Sequence, residues 1–370
     1  MHYKGFRSCA LYSSGNRSIP YFRAYYHCAS CGKGLHPQDE LEGVNTIRIT
    51  PRLQEVMSLF GMREPYHQSP EDGASVIERV LHVKDLSRQM QRVVMAHGSR
   101  LRELREDELR LAREMDREET PPVERAGCLV VQMDGGMVRS DGRWREVKNG
   151  VVYWKSDRVD LGKRGLILRK EYVSTLSGGI DRFRDQLDGA ILKMGGSKAA
   201  EMEFVADGAE WIWKFKQDYY PDAREILDWT HAKDYLVKVA EAFWPPAHWR
   251  RKKWMKRQKA FLWEGEISKV LVSLKRLNPK DERQKKAVKD TLRFYGNNRH
   301  RMDYAVFRDR DYTIGSGAVE SSHKYLVQAR MKQAGMRWKE DGAEAIINLR
   351  VFWYNDQWDD AFQNRYATAA

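Results

Sequence analysis

Residues 128–136 read CLVVQMDGG, and this stretch decides the expected fold. Residues 129–133 form an apolar run broken only by Gln132, which is typical of a strand buried on both faces of a sheet. The run ends at Asp134, and two glycines follow it. Because glycine lets the backbone turn sharply, we expect a tight turn that leaves the Asp134 carboxylate exposed at the carboxyl edge of the sheet.

The periodicity downstream of this strand alternates between that of strands and that of helices. Predicted strands cover 147–154, 166–173, 203–206 and 223–229, and predicted helices cover 179–194 and 209–218. Asp207 and Gly208 end the fourth strand, and Asp228 lies near the end of the fifth. Three strands, a helix, a strand, a helix and a strand predict an α/β fold of the ribonuclease-H-like type, a mixed sheet flanked by helices.

We expect five segments along the chain. Residues 1–45 are rich in aromatic residues and glycine and predict a small zinc-ribbon-like module, and residues 46–120 predict a helical DNA-binding or connecting region. The first part of the ribonuclease-H-like core occupies 121–230. A basic, all-helical insertion occupies 231–312, and a C-terminal core helix with a tail occupies 313–370.

The first half of the helical region has a helix-turn-helix-like layout. Helices near 53–60 and 74–81 are followed by a turn at His82–Val83 and by a third helix that begins at about Asp85. That third helix presents polar side chains that suit DNA contact: Ser87, Arg88, Gln89, Gln91 and Arg92. The same pattern also fits three short helices that only pack together.

Residues 99–119 predict a long amphipathic helix that stops before Pro121–Pro122. Its apolar stripe consists of Leu101, Leu104, Leu111 and Met115. Glu108 interrupts the stripe, which spans only about two heptads. The sequence therefore leaves open whether this helix connects two domains or forms a dimer contact.

Charge is concentrated in one part of the chain. The protein has 65 lysine and arginine residues against 52 acidic ones, and residues 231–310 alone contain 22 basic and 9 acidic residues. This segment favours a polyanionic partner, for which nucleic acid is a better candidate than an acidic membrane surface. No apolar run approaches the roughly 20 residues of a membrane helix, and residues 1–6 lack the apolar core of a secretion signal. We therefore expect a cytoplasmic, nucleoid-associated protein without a membrane partner.

Three acidic residues are candidates for a metal site. Asp134 and Asp207 each end an apolar strand before a glycine, and Glu320 lies in the first turn of a helix that opens at 315–317. In the predicted topology the two strands are neighbours, so the three side chains could converge as hard oxygen ligands for Mg²⁺ or Mn²⁺. Taken singly, each aspartate also fits an ordinary turn residue, and Glu320 fits a helix-dipole partner.

Asp228 and His231 lie together after the fifth predicted strand. They fit a helix N-cap pair and an auxiliary pair beside the metal site equally well.

The strongest candidate for DNA contact is the stretch 249–259, which contains seven basic residues and no acid. These residues are Arg250, Arg251, Lys252, Lys253, Lys256, Arg257 and Lys259. A helix with charge all around it must expose at least one face to solvent or phosphate. The tryptophans at 244, 249 and 254 fit core packing better than base stacking.

Two smaller DNA-binding candidates lie nearer the predicted site. Arg299 and Arg301 belong to the stretch 297–301, which also fits an ordinary exposed loop. Lys324 and Gln328 follow Glu320 at helical steps of four, so we expect them on its face and near DNA. An intrahelical pair between Glu320 and Lys324 is the simpler alternative.

Five stretches of the chain resemble the signatures of insertion-sequence transposases of the ISKra type. They are MDG at 133–135, FVADGAEWIW at 204–213, ILDWTHA at 226–232, IGSGAVES at 314–321 and its continuation LVQARMKQAGMRW at 326–338. The stretches occur in the family's order, and the similarity runs from about Tyr25 to Trp358. The resemblance implies a ribonuclease-H-like core with the catalytic triad Asp134, Asp207 and Glu320, which binds Mg²⁺ or Mn²⁺. It further implies cleavage and joining of DNA strands at the inverted repeats of a mobile element and at target DNA.

The start of the chain departs from this family. Relatives usually open with a Cys-x-x-Cys pair before a stretch that resembles Tyr3–Arg7, and this chain begins after that place. Cys28 and Cys31 would be half of a zinc site. Their partners are not obvious, although Cys9, His27 and His36 are candidates. We expect Zn²⁺ binding only if such partners complete the four ligands.

The function expected from the sequence is therefore a DDE transposase that acts on double-stranded DNA, as a homodimer on that DNA. Two alternatives remain. One is a non-catalytic DNA-binding protein, such as a repressor-like remnant of a decayed element. The other is a ribonuclease-H-like nuclease with another substrate, because the triad alone does not specify a transposase.

Overall fold

The computed structural model describes residues 1–41, 43–44, 47–66, 73–83, 86–115, 127–162 and 164–362. Within these ranges the chain is mixed α/β with a mixed central sheet. The expected helix start at Asp85, the helix stop at Pro121–Pro122 and the segment boundary at 120/121 lie outside the described residues. No described helix combines the length and the apolar character needed to cross a membrane.

The N-terminal segment is a small antiparallel sheet. Strand β1 (His2–Ser13) forms a long hairpin with β2 (Arg17–His27), and the short strand β3 (Gly34–Leu35) pairs with the end of β2. Helix α1 (Pro37–Leu41) follows. The side chains of the long hairpin are mostly exposed, so this sheet has little core of its own.

Three helices follow, and the third is longer than expected. These are α2 (Pro51–Gly61), α3 (Gly73–Leu81) and α4 (Leu86–Glu114). His82 has a φ of 50°, in the left-handed region, and so marks the predicted turn before α4. The third helix of the helix-turn-helix-like layout and the amphipathic helix expected over 99–119 are a single helix of 29 residues.

The predicted apolar stripe of α4 is wrong beyond Leu101. The helix packs against α2 and α3, and its buried face continues from Leu101 through Arg105 to Leu109. Leu104, Leu111 and Met115 are exposed. The predicted stripe was wrong because the face of α4 that packs contains a charged residue. This residue is Arg105, which is buried and pairs with Glu171.

The central sheet has five strands. They are β4 (Cys128–Ser140), β5 (Arg143–Trp154), β8 (Glu171–Thr175), β9 (Glu201–Ala206) and β10 (Arg224–Leu227), and a separate two-stranded hairpin supplies β6 (Arg158–Leu161) and β7 (Arg164–Ile167). The order across the sheet is β10-β9-β4-β5-β8. Strand β5 is antiparallel to both neighbours, whereas β9 is parallel to β4 and to β10.

Two predicted strand boundaries are wrong. Strand β4 does not turn at Asp134 but continues to Ser140, and the chain reverses at Asp141–Gly142, where both residues have positive φ. That conformation is the usual one for a two-residue hairpin loop. The strand expected over 166–173 is also divided, because its first part belongs to the separate hairpin and its second part to β8.

Helices cover the sheet and form the insertion. Helices α5 (Gly179–Lys193) and α6 (Glu210–Tyr219) lie where they were predicted. The insertion consists of α7 (Trp229–Phe243), α8 (Trp249–Trp263), α9 (Ile267–Lys275), α10 (Glu282–Asn297) and α11 (Tyr304–Asp309). The expected all-helical character of this segment is confirmed. Its first helix begins at Trp229, so the fifth strand is shorter than predicted.

The C-terminal segment contains more than one core helix. Helix α12 (Gly317–Ser322) continues into a π-helical turn, His323–Gln328, and then into α13 (Ala329–Met331). Helices α14 (Glu340–Tyr354) and α15 (Trp358–Phe362) follow. Helix α14 is largely buried between α4 and β8, so most of the expected tail is part of the core.

Candidate functional site

Asp134 and Asp207 reach the same level of the sheet on neighbouring strands. Met133 of β4 pairs with Ala206 of β9 in parallel register; Asp134 is the next residue of β4, and Asp207 directly follows the end of β9. Asp134 Oδ1 accepts the amide of Gly135 at 2.8 Å, and Asp207 Oδ1 accepts the amide of Ala209 at 2.9 Å. The sequence therefore predicted the common position of these residues correctly, although Asp134 lies within a strand and not in a turn.

Asp228 and His231 form the N-terminus of α7. Asp228 Oδ1 accepts the amide of His231 at 2.7 Å and lies 3.0 Å from His231 Nδ1, so the N-cap interpretation is confirmed. The other carboxylate oxygen accepts the amide of Ser316 at 2.7 Å. Asp228 thus joins the end of the parallel strands to the loop that precedes α12.

Glu320 is positioned by the start of α12. The buried side chain of Gln132 donates to the carbonyl of Gly315 at 3.0 Å and accepts the amide of Val319 at 3.2 Å. The hydroxyl of Ser316 donates to Glu320 Oε1 at 2.9 Å. Because Gln132 lies two residues before Asp134 on β4, these bonds fix the helix that carries Glu320 to the strand that carries Asp134.

His231 is the common neighbour of the acidic residues. Its ligand atom and those of Asp228 and Glu320 lie within 4.8 Å of one another. The hydrogen bond with Asp228 raises the pKa of His231 to about 9, and the charges of Asp207 and Asp134 add to the rise. His231 is therefore an imidazolium ion at neutral pH, and it partly neutralises the acidic group.

Asp134 and Asp207 act on each other electrostatically. Burial raises the pKa of Asp134, and the Asp207 carboxylate adds to this effect, while His323 and His231 oppose it. Burial also acts to raise the pKa of Asp228, but the bonds from His231 and Ser316 outweigh it and the net pKa is lowered. In this site the pKa of Asp228 is therefore lowered, whereas the pKa of Asp134 is raised.

The ligand atoms that lie closest together are not those of the predicted triad. In the parts of the chain that the structure describes, the group within 4.8 Å contains Asp228, His231 and Glu320, and it does not include Asp134 or Asp207. The charges of Asp134 and Asp207 act on His231, whose ligand atom lies within 4.8 Å of those of Asp228 and Glu320.

His323 is a residue of this site that the sequence analysis missed. Its buried ring lies over Gly136, and its Nε2 atom is 3.7 Å from Asp134 Oδ2. The signal was available, because Glu320 and His323 are three residues apart and so share one face of a helix.

Buried arginines hold the helical segment that carries Glu320 and His323. Arg350 donates to the carbonyls of Tyr325 and Leu326, in the π-helical turn, and to the carbonyl of Met62 just after α2. Arg330 donates to the carbonyl of Gly61 at 3.1 Å. Carbonyl groups at a helix end and at a π-helical turn lack their usual backbone donors. The two guanidinium groups donate hydrogen bonds to these carbonyls instead.

The expected common face of Glu320, Lys324 and Gln328 stays a prediction. His323–Gln328 forms a π-helical turn, in which hydrogen bonds join residues five apart. Lys324 is exposed, and Gln328 is half-buried.

Helix α8 presents most of its basic residues to solvent. Arg250, Lys252, Lys253, Lys256, Arg257 and Lys259 are exposed. Arg251 is half-buried and pairs with Glu241 at 3.0 Å. The tryptophans follow the core interpretation in part, since Trp254 is buried against Trp244 whereas Trp249 is 61% exposed.

The second basic stretch is mostly tied to the protein. Arg301 is 13% exposed, pairs with Glu225 at 2.6 Å and stacks over the Trp213 ring. The side chain of Arg299 is exposed and donates to the hydroxyl of Ser268 at 2.6 Å. Of the two arginines, only Arg299 is readily accessible to DNA.

A cleft of about 700 Å³ opens beside the acidic group, between α6, α7 and α10. It begins at Gly208, next to Asp207. The stacked rings of Tyr235 and Phe294 form one wall, 3.8 Å apart, and Lys238 is among its basic lining residues. The cleft thus offers aromatic surface and positive charge next to the carboxylates.

Cys28 and Cys31 lie in the turn between β2 and β3. Bonds from Ser30 and Cys31 lower the pKa of the half-buried Cys28 thiol to about 6. Among the described residues, no third histidine, cysteine or acidic ligand atom completes a group with this pair. Cys9 is excluded as a partner because it pairs with Tyr21, about 20 Å along β2 from His27. Zinc binding at Cys28 and Cys31 stays a prediction.

Comparison with known proteins identifies no relative. No model of a known protein family matches the chain, and no curated protein matches it.

Proposed function

We propose that this chain is a DNA transposase of the DDE type, which cleaves and joins strands at the ends of an insertion sequence. The observation that carries the proposal is that Asp134 and Asp207 directly follow the paired residues Met133 and Ala206, while the ligand atoms of Glu320 and His231 lie within 4.8 Å of each other. The motifs that resemble ISKra-type transposases contain these same residues.

The strand order supports a ribonuclease-H-like core. Counted within the central sheet, the strands run 3-2-1-4-5, and only the second is antiparallel to the others. The helical insertion then separates the fifth strand from the helix that carries Glu320. An acidic residue from strand 1, one from strand 4 and one from that helix therefore reach one edge of the sheet.

The donor atoms of the site fit divalent metal ions. Carboxylate oxygens from Asp134, Asp207 and Glu320 are hard ligands of the kind that Mg²⁺ and Mn²⁺ prefer. When bound, two such ions supply a nucleophile from water or a 3′-hydroxyl and stabilise the leaving oxygen of a phosphodiester. Asp228 and His231 would act as an auxiliary pair, because they fix the loop that precedes Glu320.

The basic helices supply the DNA-binding surface in this proposal. The exposed residues of α8 suit the phosphate backbone, which accounts for most sequence-independent affinity. The cleft at Gly208 suits a strand that enters the acidic site. We further propose a homodimer on DNA, for which the exposed Leu104 and Leu111 of α4, with Met115 just after it, offer an apolar surface.

The test is a nicking assay with a matched gel-shift assay. The substrate is a supercoiled plasmid that carries the gene with its flanking DNA, incubated with Mg²⁺ or Mn²⁺. Asp134→Asn and Asp207→Asn should each abolish cleavage and keep DNA binding. Asp181→Asn is the control, because this side chain is 89% exposed on α5, a helix that carries none of the site residues.

Each outcome separates the proposal from its rivals. Binding without cleavage by the unaltered protein would indicate a non-catalytic DNA-binding protein. Cleavage that does not depend on the flanking ends would indicate a nuclease with another substrate. Cleavage that survives in both aspartate variants would refute the site assignment.

A further inference from the structure

His323 has an environment that is unusual for a structural histidine. Only 3% of the residue is exposed, and neither ring nitrogen has a hydrogen-bond partner of acceptable geometry in the described part of the chain. A buried polar group without a partner is costly, and such groups in native proteins mostly have a partner or a ligand. The ring is therefore free to bind a group from outside the chain, and Asp134 is its nearest charged neighbour.

The ring is held in place by close packing against β4. A Cβ atom at Gly136 would lie 2.7 Å from Nδ1 and Cε1 of His323, which is closer than such contacts allow. Only glycine at 136 leaves room for the ring in this position. The strand thus accommodates the imidazole two residues beyond Asp134, on the same face of the sheet.

The distance to Asp134 suits an ion between the two side chains. His323 Nε2 and Asp134 Oδ2 are 3.7 Å apart, which is too long for a hydrogen bond. Ligand atoms contact Mg²⁺ or Mn²⁺-sized ions at about 2.1 Å, so two ligands of one ion lie at most about 4.2 Å apart. The observed separation falls inside that limit without movement of the backbone.

We propose that His323 is a ligand of the divalent ion that Asp134 holds, so that this position is a mixed imidazole and carboxylate site. The inference rests on the proposed function and extends its metal site by one residue. Glu320 lies one helical turn before His323 and serves the same acidic group.

The mixed site should change the choice of ion. Imidazole binds Mn²⁺ and later transition ions better than it binds Mg²⁺, whereas carboxylates suit Mg²⁺ well. His323→Gln should therefore weaken Mn²⁺ binding by at least about tenfold. Mg²⁺ binding, measured by competition with Mn²⁺, should weaken less.

The decisive measurement is the nitrogen coupling of bound Mn²⁺. The full-length protein is loaded with one equivalent of Mn²⁺, and pulsed electron paramagnetic resonance detects nitrogen within the ion's coordination shell. The nitrogen signal should appear in the unaltered protein and in His231→Gln, and it should disappear in His323→Gln. Asp134→Asn should lose it as well, because the same ion is held by both residues.

A second variant guards against a folding defect. Gly136→Ala keeps the imidazole but drives it from its position, so it should weaken the nitrogen signal while the circular dichroism spectrum stays unchanged. A signal that persists in His323→Gln and vanishes in His231→Gln would overturn the proposal. Bound Mn²⁺ without nitrogen coupling, in a protein that still cleaves DNA, would overturn it and leave the proposed function standing. A protein that neither binds Mn²⁺ nor cleaves DNA would overturn both.

Discussion

Replacing Gln132 and Gln258 by methionine should have opposite effects on stability, although both side chains are buried. Gln132 bonds to the hydroxyl of Tyr153, the carbonyl of Gly315 and the amide of Val319. Both polar atoms of the Gln258 amide, by contrast, lack a hydrogen-bond partner within the described residues. Methionine has a similar volume and no amide, so each variant removes the polar group and keeps the packing.

The magnitudes follow from the number of bonds. Gln132→Met breaks three bonds and leaves their partners unpaired, which at roughly 1 kcal/mol each lowers the free energy of unfolding by about 3 kcal/mol. Gln258→Met removes two buried polar atoms that lack hydrogen-bond partners, so it should raise the free energy of unfolding by about 1 to 2 kcal/mol. With an entropy of unfolding of about 2.1 cal/mol/K per residue, the melting temperature of a chain of this length should fall by about 4 °C in Gln132→Met and rise by about 2 °C in Gln258→Met.

Scanning calorimetry of the two variants and the unaltered protein at one pH checks this reasoning. Gln132→Met should also reduce Mn²⁺ affinity, because Glu320 loses the anchor between its helix and β4. Gln258→Met should leave Mn²⁺ affinity unchanged, since Gln258 lies in α8. Equal shifts of the melting temperature in the two variants would refute the assignment of bonds.

Three further predictions concern other parts of the molecule. Burial lowers the pKa of His97 to about 4, below the value of about 6.5 in the unfolded chain. The free energy of unfolding should therefore fall by about 3 kcal/mol as the pH drops from 6.5 to 4. Urea titrations should show a smaller fall in His97→Gln. Trp254→Ala should lower the free energy of unfolding by about 3 to 5 kcal/mol, because Trp254 is only 7% exposed. Trp249→Ala should lower it by less than about 0.5 kcal/mol, because Trp249 is 61% exposed. Chemical unfolding measures both. Four lysines of α8 are exposed: Lys252, Lys253, Lys256 and Lys259. Replacing all four by alanine should weaken DNA binding. In a filter-binding titration, the slope of log K against log salt concentration should become shallower by up to about 3.6.

The parts of the fold that could be predicted depend on local patterns. The strand that ends at Ala206 and helix α5 have the expected periodicity throughout, and the structure places both within two residues of their predicted bounds. Strand β4 was cut short in the prediction because two glycines after Asp134 resemble a turn. Those glycines serve close packing instead, and the sequence does not show which side chain will cover a strand.

The fusion of two predicted helices into α4 has a similar cause. The buried face of this helix includes Arg105 and His97, which are polar and break the apolar period. Each is accommodated by a specific partner, Glu171 for Arg105 and Gln54 for His97. Such partners are distant in sequence, so periodicity alone assigned the wrong residues to the core.

The apolar runs before Asp134 and Asp207 made the neighbouring positions of these two residues predictable. Met133 and Ala206, which precede them, pair in parallel register, although β4 continues past Asp134. His323 was missed although it is three residues from Glu320, because that spacing alone is common in helices. The structure adds the glycine beneath the ring and the distance to Asp134.

The N-terminal helices and the acidic site are mechanically connected. Arg350 joins the carbonyl of Met62 to those of Tyr325 and Leu326, so one side chain bonds both to the residue after α2 and to the turn that follows His323. A displacement of α2 would therefore move carbonyl groups that fix the orientation of the Glu320-bearing segment. If α2 contacts DNA in the proposed transposase, this contact is a direct route from DNA binding to the segment that carries Glu320. The buried arginine thus joins two parts of the chain that are separated by 288 residues in sequence.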